Sequence, residues 1–274
     1  MILVVGDVVD DIGVRPLGRV NPASDTISEI RMSPGGSAAN VAAWLGHLGV
    51  DVRFVGKAGV DGAARHTAAL WAQGVDARIA CDSTLPTATI VLTLDDAADR
   101  TMYVDRAANA TLTSADLPDG IWDEVTWLHL TGYSFFDDGV RPVALELIAE
   151  AKRREVGVSV DPSSLGFLQA AGREQFLSWV TGADLLFPNE DEQRFLAVEG
   201  DSVVVTLGAE GASFAGHQMA AAMAEVVDTT GAGDAFCAGF LSRWSRRQDA
   251  VEALSAGAQA ASQCVAIRGA RPVS

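Results

Sequence analysis

The 274-residue sequence predicts an α/β fold: a three-layer sandwich on a mostly parallel central sheet, with a small β lid. Three observations carry this. β-rich runs alternate with apolar stripes of helical period that end on glycine. One pair of β-rich runs is joined by a short polar turn with no helix between them. Acidic, amide and hydroxyl residues recur just after successive predicted strands, the end where open α/β sheets place their sites.

Ile2–Val5 is an unbroken aliphatic run, the pattern of a strand buried on both faces, and it ends at Gly6-Asp7. A polar, irregular stretch is expected from about Gly13 to Pro34. Gly35-Gly36-Ser37 opens a helix in which Ala38, Val41, Ala42, Leu45 and Leu48 form one stripe, and Gly49 stops it. Val52–Val55 reads as a strand and His66–Gln73 as a helix closed by Gly74. Thr89–Leu94 and Arg100–Val104 form a hairpin around the turn Asp95-Asp96-Ala97-Ala98-Asp99. With part of the preceding polar stretch it makes the lid, about residues 13–33 and 88–107. Strands then follow at Trp127–Leu130, Val156–Val160, Leu185–Phe187 and Val203–Thr206, with helices around Arg141–Arg154, Arg173–Val180 and Asp191–Ala197. Two helices, Asp234–Arg246 and Ala250–Ala266, close the chain. No repeat, low-complexity tract or long linker intervenes, so residues 1–274 are expected to form one domain with its lid.

Composition narrows the function classes. The net charge of −16, from 20 basic and 36 acidic residues, argues against a general nucleic-acid or anionic-membrane surface. Lys57 and Lys152 are the only lysines. The three cysteines have neither metal-ligand spacing nor an even-numbered framework, so a reducing compartment, the cytoplasm, is expected. The N-terminus reads as a first strand rather than a signal peptide, and no apolar run is long enough to span a membrane.

The most informative run is Asp228-Thr229-Thr230-Gly231-Ala232-Gly233-Asp234, followed by the apolar Ala235–Leu241. A β-branched pair, Val226-Val227, leads into it. The order places Asp234 at a helix N-terminus, beside amides with no intrahelical partner. Such a terminus attracts anions, and glycines let a phosphate approach the backbone. A carboxylate there can take a proton from a hydroxyl while the amides hold the phosphate it attacks. Gly231–Asp234 alone would read as an ordinary turn and helix cap. It is not a P-loop, because no Gly-Lys-Ser/Thr follows.

Together these residues resemble the ribokinase-like (PfkB) carbohydrate kinases. Gly35-Gly36-Ser37-Ala38-Ala39-Asn40, with Ala42, Gly49 and Gly59, resembles the family's N-terminal signature, and Asp228–Leu241 its C-terminal one. Asn189-Glu190-Asp191-Glu192 is similar to its Asn-x-x-Glu, and Thr206–Gly211 to its nucleotide-site turn. The resemblance implies transfer of the γ-phosphate of ATP to a hydroxymethyl group of a sugar or sugar acid. It makes Asp234 the general base and the amides of Gly231, Ala232 and Gly233 the anion hole. Asn189 and Glu192 would organise Mg²⁺, Glu192 through water. Asn189, Thr206, Gly208, Gly211 and Gly233 would bind the nucleotide. Asp11, Gly35, Gly36, Asn40, Arg106 and Asn109 would bind the acceptor. Asp228 and the Thr230 carbonyl resemble positions that hold a monovalent cation, K⁺. The exposed edge of the lid sheet offers a homodimer surface.

Some positions depart from the family pattern. Asp61 is followed by Ala64 where Asp-x-x-Gly is common, Ala107-Ala108-Asn109 replaces Gly-Ala-Asn, and Val9 stands where ribokinases commonly carry Asn. Spacing from Gly6 favours Asp11 as the acceptor ligand, while strand alternation leaves Asp10 open. Arg106 follows the lid strand after Tyr103, where it reads equally as an acceptor ligand or a solvated strand end. Two alternatives stand beside the sugar kinase: a nucleoside kinase on the same fold, and a non-catalytic sugar- or nucleotide-binding regulator.

Overall fold

The computed structural model describes residues 1–94 and 100–273; the expected turn Asp95–Asp99 lies outside the described residues. In chain order the elements are β1 (Ile2–Val5), β2 (Val9–Pro16), β3 (Ser28–Gly35), α1 (Ser37–His47), β4 (Val52–Gly59), α2 (Ala63–Trp71), β5 (Asp76–Asp82), β6 (Ala88–Leu94) and β7 (Arg100–Asp105). After two short 3₁₀ turns come β8 (Trp127–Thr131), α3 (Tyr133–Phe136), α4 (Arg141–Arg153), β9 (Gly157–Asp161), α5 (Leu165–Ala171), α6 (Arg173–Trp179) and β10 (Leu185–Leu186). The chain continues through α7 (Glu190–Leu196), β11 (Val205–Thr206), β12 (Ala212–Phe214), β13 (His217–Met219), α8 (Ala232–Arg247) and α9 (Ala250–Val265).

The central sheet has six strands in the order β10-β9-β8-β1-β4-β5. Every pairing in it is parallel, with Ile2 opposite both Val52 and Trp127. Parallel strands need crossovers, and the crossovers cover both faces. β1 shows the consequence residue by residue. Ile2 and Val4 point into a core shared with Trp44, Phe54, Phe236 and Phe240. Leu3 and Val5 point into the opposite core, with Leu128, Leu130, Phe135 and Leu147. An all-aliphatic strand is therefore required.

α8 and α9 pack at short range because glycines remove side chains at the contact. A Cβ on Gly239 would stand 2.4 Å from the Ala256 carbonyl oxygen, and one on Gly257 2.7 Å from the Phe236 ring.

The expected hairpin is present as β6–β7, with Ile90 opposite Val104. The stretch read as irregular, about Gly13 to Pro34, is irregular only between residues 17 and 27. Its two ends are the second half of β2 and nearly all of β3, which pair antiparallel from Val9↔Gly35 to Pro16↔Ser28. β2 also pairs parallel with β6, which gives a second sheet of order β3-β2-β6-β7. A small third sheet, β11-β12-β13, continues from β10 through a Leu186↔Val203 bridge. Val226-Val227 is not a strand; both side chains are exposed, and the Val227 amide donates to the Val265 carbonyl. Among the described residues no helix is long and apolar enough to cross a membrane.

Candidate active site

The C-terminal ends of β1, β8, β9 and β11 open on one cavity of about 390 Å³, roofed by the inner face of the β2–β6–β7 sheet. Its lining includes Asp7 after β1, Asp161 at the end of β9, Thr206 at the end of β11, and the run Asp228–Asp234.

Asp7 organises the helix that carries the twin glycines. Its carboxylate accepts from the amides of Ser37 (2.8 Å) and Ala38 (3.1 Å) and from the Thr131 hydroxyl (3.2 Å). An anion capping the first turn of α1 satisfies otherwise unpaired amides. Gly36 sits at φ 97°, and a Cβ there would stand 2.6 Å from the Asp7 carbonyl oxygen, so only glycine fits. The helix so anchored presents Ser37 and Asn40 to Asp234. The Ser37 hydroxyl donates to Asp234 Oδ1 at 2.7 Å, and the Asn40 amide donates to Oδ2 at 2.9 Å.

Asp234 lies in the first turn of α8, which starts at Ala232 behind a left-handed Gly231 (φ 77°). A Cβ on Gly231 would stand 2.5 Å from that of Ala270. Burial pushes the Asp234 carboxyl up to about 7; Asn40 and Ser37 pull it down, and Asp7 and Asp11 push it further up. A carboxyl that titrates near neutrality is suited to accept a proton at neutral pH.

The three amides expected to form an anion hole are not alike. The Ala232 amide already donates to the Thr229 carbonyl at 3.3 Å. Gly233, by contrast, has nothing within 4 Å of where a Cβ would stand. The turn is therefore open on the cavity wall at Gly233.

At the lid end of the cavity, Asp10 and Asp11 separate cleanly. Asp10 is buried away from the cavity, bound by both guanidinium nitrogens of Arg65 (2.7 and 2.8 Å) and by His66 Nε2 (3.0 Å). Burial raises its carboxyl, but Arg65 and His66 outweigh it and the net shift is downward. Asp11 lines the cavity beside Gly35, where a Cβ would lie 2.0 Å from Asp11 Oδ2. Burial lifts Asp11 to about 6, against the pull of Arg271. Asn109 and Arg106 also line the cavity, but both are occupied. Asn109 brackets residue 8, accepting from the Val8 amide (3.2 Å) and donating to the Val8 carbonyl (3.1 Å). Arg106 donates to Asp137 (2.7 Å) and to the Tyr133 carbonyl (2.7 Å).

At the other end, Asn189 and Glu192 form a reciprocal capping box on α7, each accepting from the other's amide at 3.0 Å. Both also line the cavity. Burial, then Glu192 and Asp234, push the Asp161 carboxyl well above its usual range, and burial raises Glu192 as well. Among the described residues no group of three or more potential ligands could hold a metal. Mg²⁺ usually takes one or two carboxylates and completes its shell with phosphates and water, so these two buried acids fit it. Thr206 lines the cavity, but Gly208 and Gly211 are not among its lining residues. Gly211, at φ 102°, meets the Met219 carbonyl so closely that a Cβ would lie 1.9 Å from it. Asp228 accepts from the Thr230 amide and hydroxyl (3.0 and 2.7 Å) and from the Gly269 amide (3.1 Å), tying the run to the C-terminal segment.

Sequence reasoning gave no role to Ser37, Asp161 or Arg271. Asp161 was placed after a predicted strand, at the end where a site is expected, and Ser37 stood within the Gly-Gly-Ser motif, so both carried a signal. Arg271 carried none.

The sequence profile of the pfkB family carbohydrate kinases matches residues 1–274. The chain belongs to this family. It is 30% identical to a fructokinase from Escherichia coli over 264 residues, covering 87% of this chain and 82% of that protein. It is 30% identical to an ATP-dependent ribose-1-phosphate kinase from Halopiger xanaduensis over 250 residues, 84% of this chain and 79% of the relative. The fold matches adenosine kinase from Sinorhizobium meliloti with a TM-score of 0.87 at 24% identity, covering 100% and 96% of the two chains. It also matches an Escherichia coli protein solved with ATP and Mg²⁺, with a TM-score of 0.85 at 22% identity over 98% and 94%. This pfkB-family chain is accordingly a carbohydrate kinase, a phosphotransferase with an alcohol group as acceptor.

Proposed function

We propose that this pfkB-family kinase transfers the γ-phosphoryl group of ATP to a hydroxymethyl group of a sugar, with Asp234 as general base. The observation that carries the reading is the placement of Asp234. It is gripped by Ser37 and Asn40 on one side and shares a cavity with Asp11 on the other, beside the open turn at Gly233.

An alcohol is too weak an acid to ionise at neutral pH. Asp234 takes the hydroxyl proton as the acceptor oxygen bonds to phosphorus and the bond from phosphorus to the ADP oxygen breaks. The products are the sugar phosphate and ADP, with the proton left on Asp234. The first-turn amides of α8 stabilise charge on the transferring group. Mg²⁺ supplies charge neutralisation on the phosphates when bound, and Asp161 and Glu192 are the side chains suited to hold it. Asp11 orients the acceptor through charge-assisted hydrogen bonds. The lid sheet above it excludes water, a competing acceptor.

The fructokinases among the relatives make a free ketohexose the first acceptor to test. The nucleoside kinase is the second reading, favoured by one feature. The cavity face of the lid offers Ile90, Leu92, Met102 and Val104, an aliphatic wall against which a base could lie. A coupled ADP-release screen of hexoses, pentoses, sugar acids, sugar phosphates and nucleosides, with Mg²⁺ and with or without K⁺, tests both. Turnover of a sugar supports the first reading. Exclusive turnover of nucleosides replaces it with the second, and ATP binding without turnover across the panel overturns both.

A further inference from the structure

Arg271 is the cation that the opening motifs did not announce, and it lies behind Gly35 and Asn40, which carry the first glycine motif. The segment that carries it is fastened at several points. The Gly269 amide donates to Asp228 (3.1 Å), the Trp44 indole donates to the Ala270 carbonyl (2.9 Å), and the Gln73 amide donates to the Pro272 carbonyl (3.1 Å). From this anchored strap the guanidinium reaches inward. Nε donates to Asn40 Oδ1 (3.1 Å) and Nη2 to the Gly35 carbonyl (2.6 Å), while Nη1 is buried with no hydrogen-bond partner.

The chemistry of these contacts is directional. A guanidinium only donates, so Asn40 must turn its oxygen toward Arg271 and its NH₂ toward Asp234. A flipped Asn40 would set two donors against each other and an oxygen against a carboxylate. The same cation faces Asp7, Asp10, Asp11 and Asp234. Burial pulls Arg271 down only to about 10, so it stays charged at neutral pH.

We propose that Arg271 is the positioning residue of this site: it locks the Asn40 amide onto Asp234 and supplies the buried positive charge that keeps Asp234 available as a proton acceptor among its acidic neighbours. This rests on the reading of Asp234 as the base. The groups that face Asp234 are Asp7, Asp11, Asp161, Tyr133, Cys237 and Cys264. Burial raises Tyr133 and both thiols, so these three stay neutral at the pH of interest. Arg271 is then the only cation in contact with the Asn40–Asp234 pair among the described residues.

The test uses protein labelled with ¹³C at the aspartate carboxyl carbon, and Asp234→Asn assigns the Asp234 resonance. Its titration midpoint is read in wild type, Arg271→Met, which removes charge and donor, and Arg271→Lys, which keeps both. Resonance-by-resonance reading separates Asp234 from Asp11. Arg271→Met is expected to move the Asp234 midpoint up by about one pH unit, and Arg271→Lys to leave it within about a third of a unit of wild type. Where an acceptor is turned over, the acidic limb of kcat moves by the same amount. The rate below both midpoints then falls roughly tenfold. Should Arg271→Met fail to fold, Arg271→Gln, a neutral donor, is expected to show the same shift. An unmoved midpoint in a folded neutral variant overturns the proposal. A moved midpoint in a protein that phosphorylates nothing would keep Arg271 as the group that sets the Asp234 titration and overturn the reading of Asp234 as the base.

Discussion

Replacing Asp234 by Asn should destroy activity and at the same time stabilise the protein, by an amount that depends on pH. The Asp234 carboxyl is held near 7 against a reference value of 3.8, first because it is buried and then because Asp7 and Asp11 lie nearby. The sign follows from proton linkage. Between about pH 4 and 7 the folded chain keeps this proton and the unfolded chain has released it, so stability is lost as pH rises through that window. About three pH units correspond to roughly 4 kcal/mol at pH 8. This is an upper bound, because Asp234 is only part-buried and cavity water screens it. Asn avoids the loss without orphaning its neighbours. Its oxygen can accept from the Asn40 amide, and its NH₂ can donate to the Ser37 hydroxyl, which rotates to receive it. Thermal unfolding of both proteins from pH 4 to 8 reads the effect. The variant should melt higher by up to on the order of 10 °C at pH 8, and the gap should close toward pH 4. Turnover should fall by about 10²- to 10⁴-fold at every pH. A melting difference that stays constant with pH, or a variant less stable at pH 8, would refute the assignment of a strained, ionised Asp234.

Other perturbations separate fold from function in the same way. Gly233→Ala should leave stability unchanged or raise it by up to about 1 kcal/mol, since a Cβ there meets open space, yet lower kcat by about 10²-fold by intruding on the anion approach; melting and steady-state kinetics read the two effects. Asp11→Asn should raise the acceptor KM about 10- to 100-fold with little change in stability, and the wild-type KM should climb as pH drops through about 6. Asp10→Asn should do the reverse, destabilising by about 2 kcal/mol in urea through loss of the Arg65 fork while the acceptor KM holds. Glu192→Gln keeps the capping box, so melting should change little; the Mg²⁺ concentration for half-maximal rate should rise about tenfold if the acid serves the metal.

Much of the fold was legible because burial on two faces leaves a simple signature. β1 and the stripe of α1 are nearly all apolar, and Gly49 and Gly74 mark where helices stop. β2 and β3 were not legible as strands. They face a polar cavity on one side and water on the other, so Asp10, Asp11, Gly13 and Arg15 dilute the alternation, and β3 is an edge strand with Glu29, Arg31 and Pro34. β5 escaped for the same reason: at the edge of the central sheet, Asp76–Asp82 mixes charges among its apolar residues. The motif residues of the site were legible, since glycines at φ 97° and φ 77° must be glycine and announce themselves. The partnership of Asn40 and Arg271 was not, because it joins residues 231 apart through a segment with no periodic pattern.

The geometry also divides labour between the two sheets, and that division explains what the motifs leave open. Asp234, Ser37, Asn40 and Asp7 stand on two helix starts and a strand end of the central layer, tied to one another by hydrogen bonds of 2.7–3.1 Å. Such groups are held in place whether or not an acceptor is present. Asp11, Ile90, Leu92, Met102 and Val104 stand on the lid sheet, whose cavity side sets Asp11, Ser33 and Asp105 around an aliphatic wall. On the proposed reading, Asp11 bonds an acceptor hydroxyl, while the wall selects by shape. Substitution of Met102 or Val104 should therefore change which acceptor is used and its KM, whereas substitution of Ser37 or Asn40 should lower kcat for every acceptor alike. On the same reading, the motif residues Ser37, Asn40 and Asp234 at the helix starts serve phosphoryl transfer, and lid side chains that follow no motif select the acceptor.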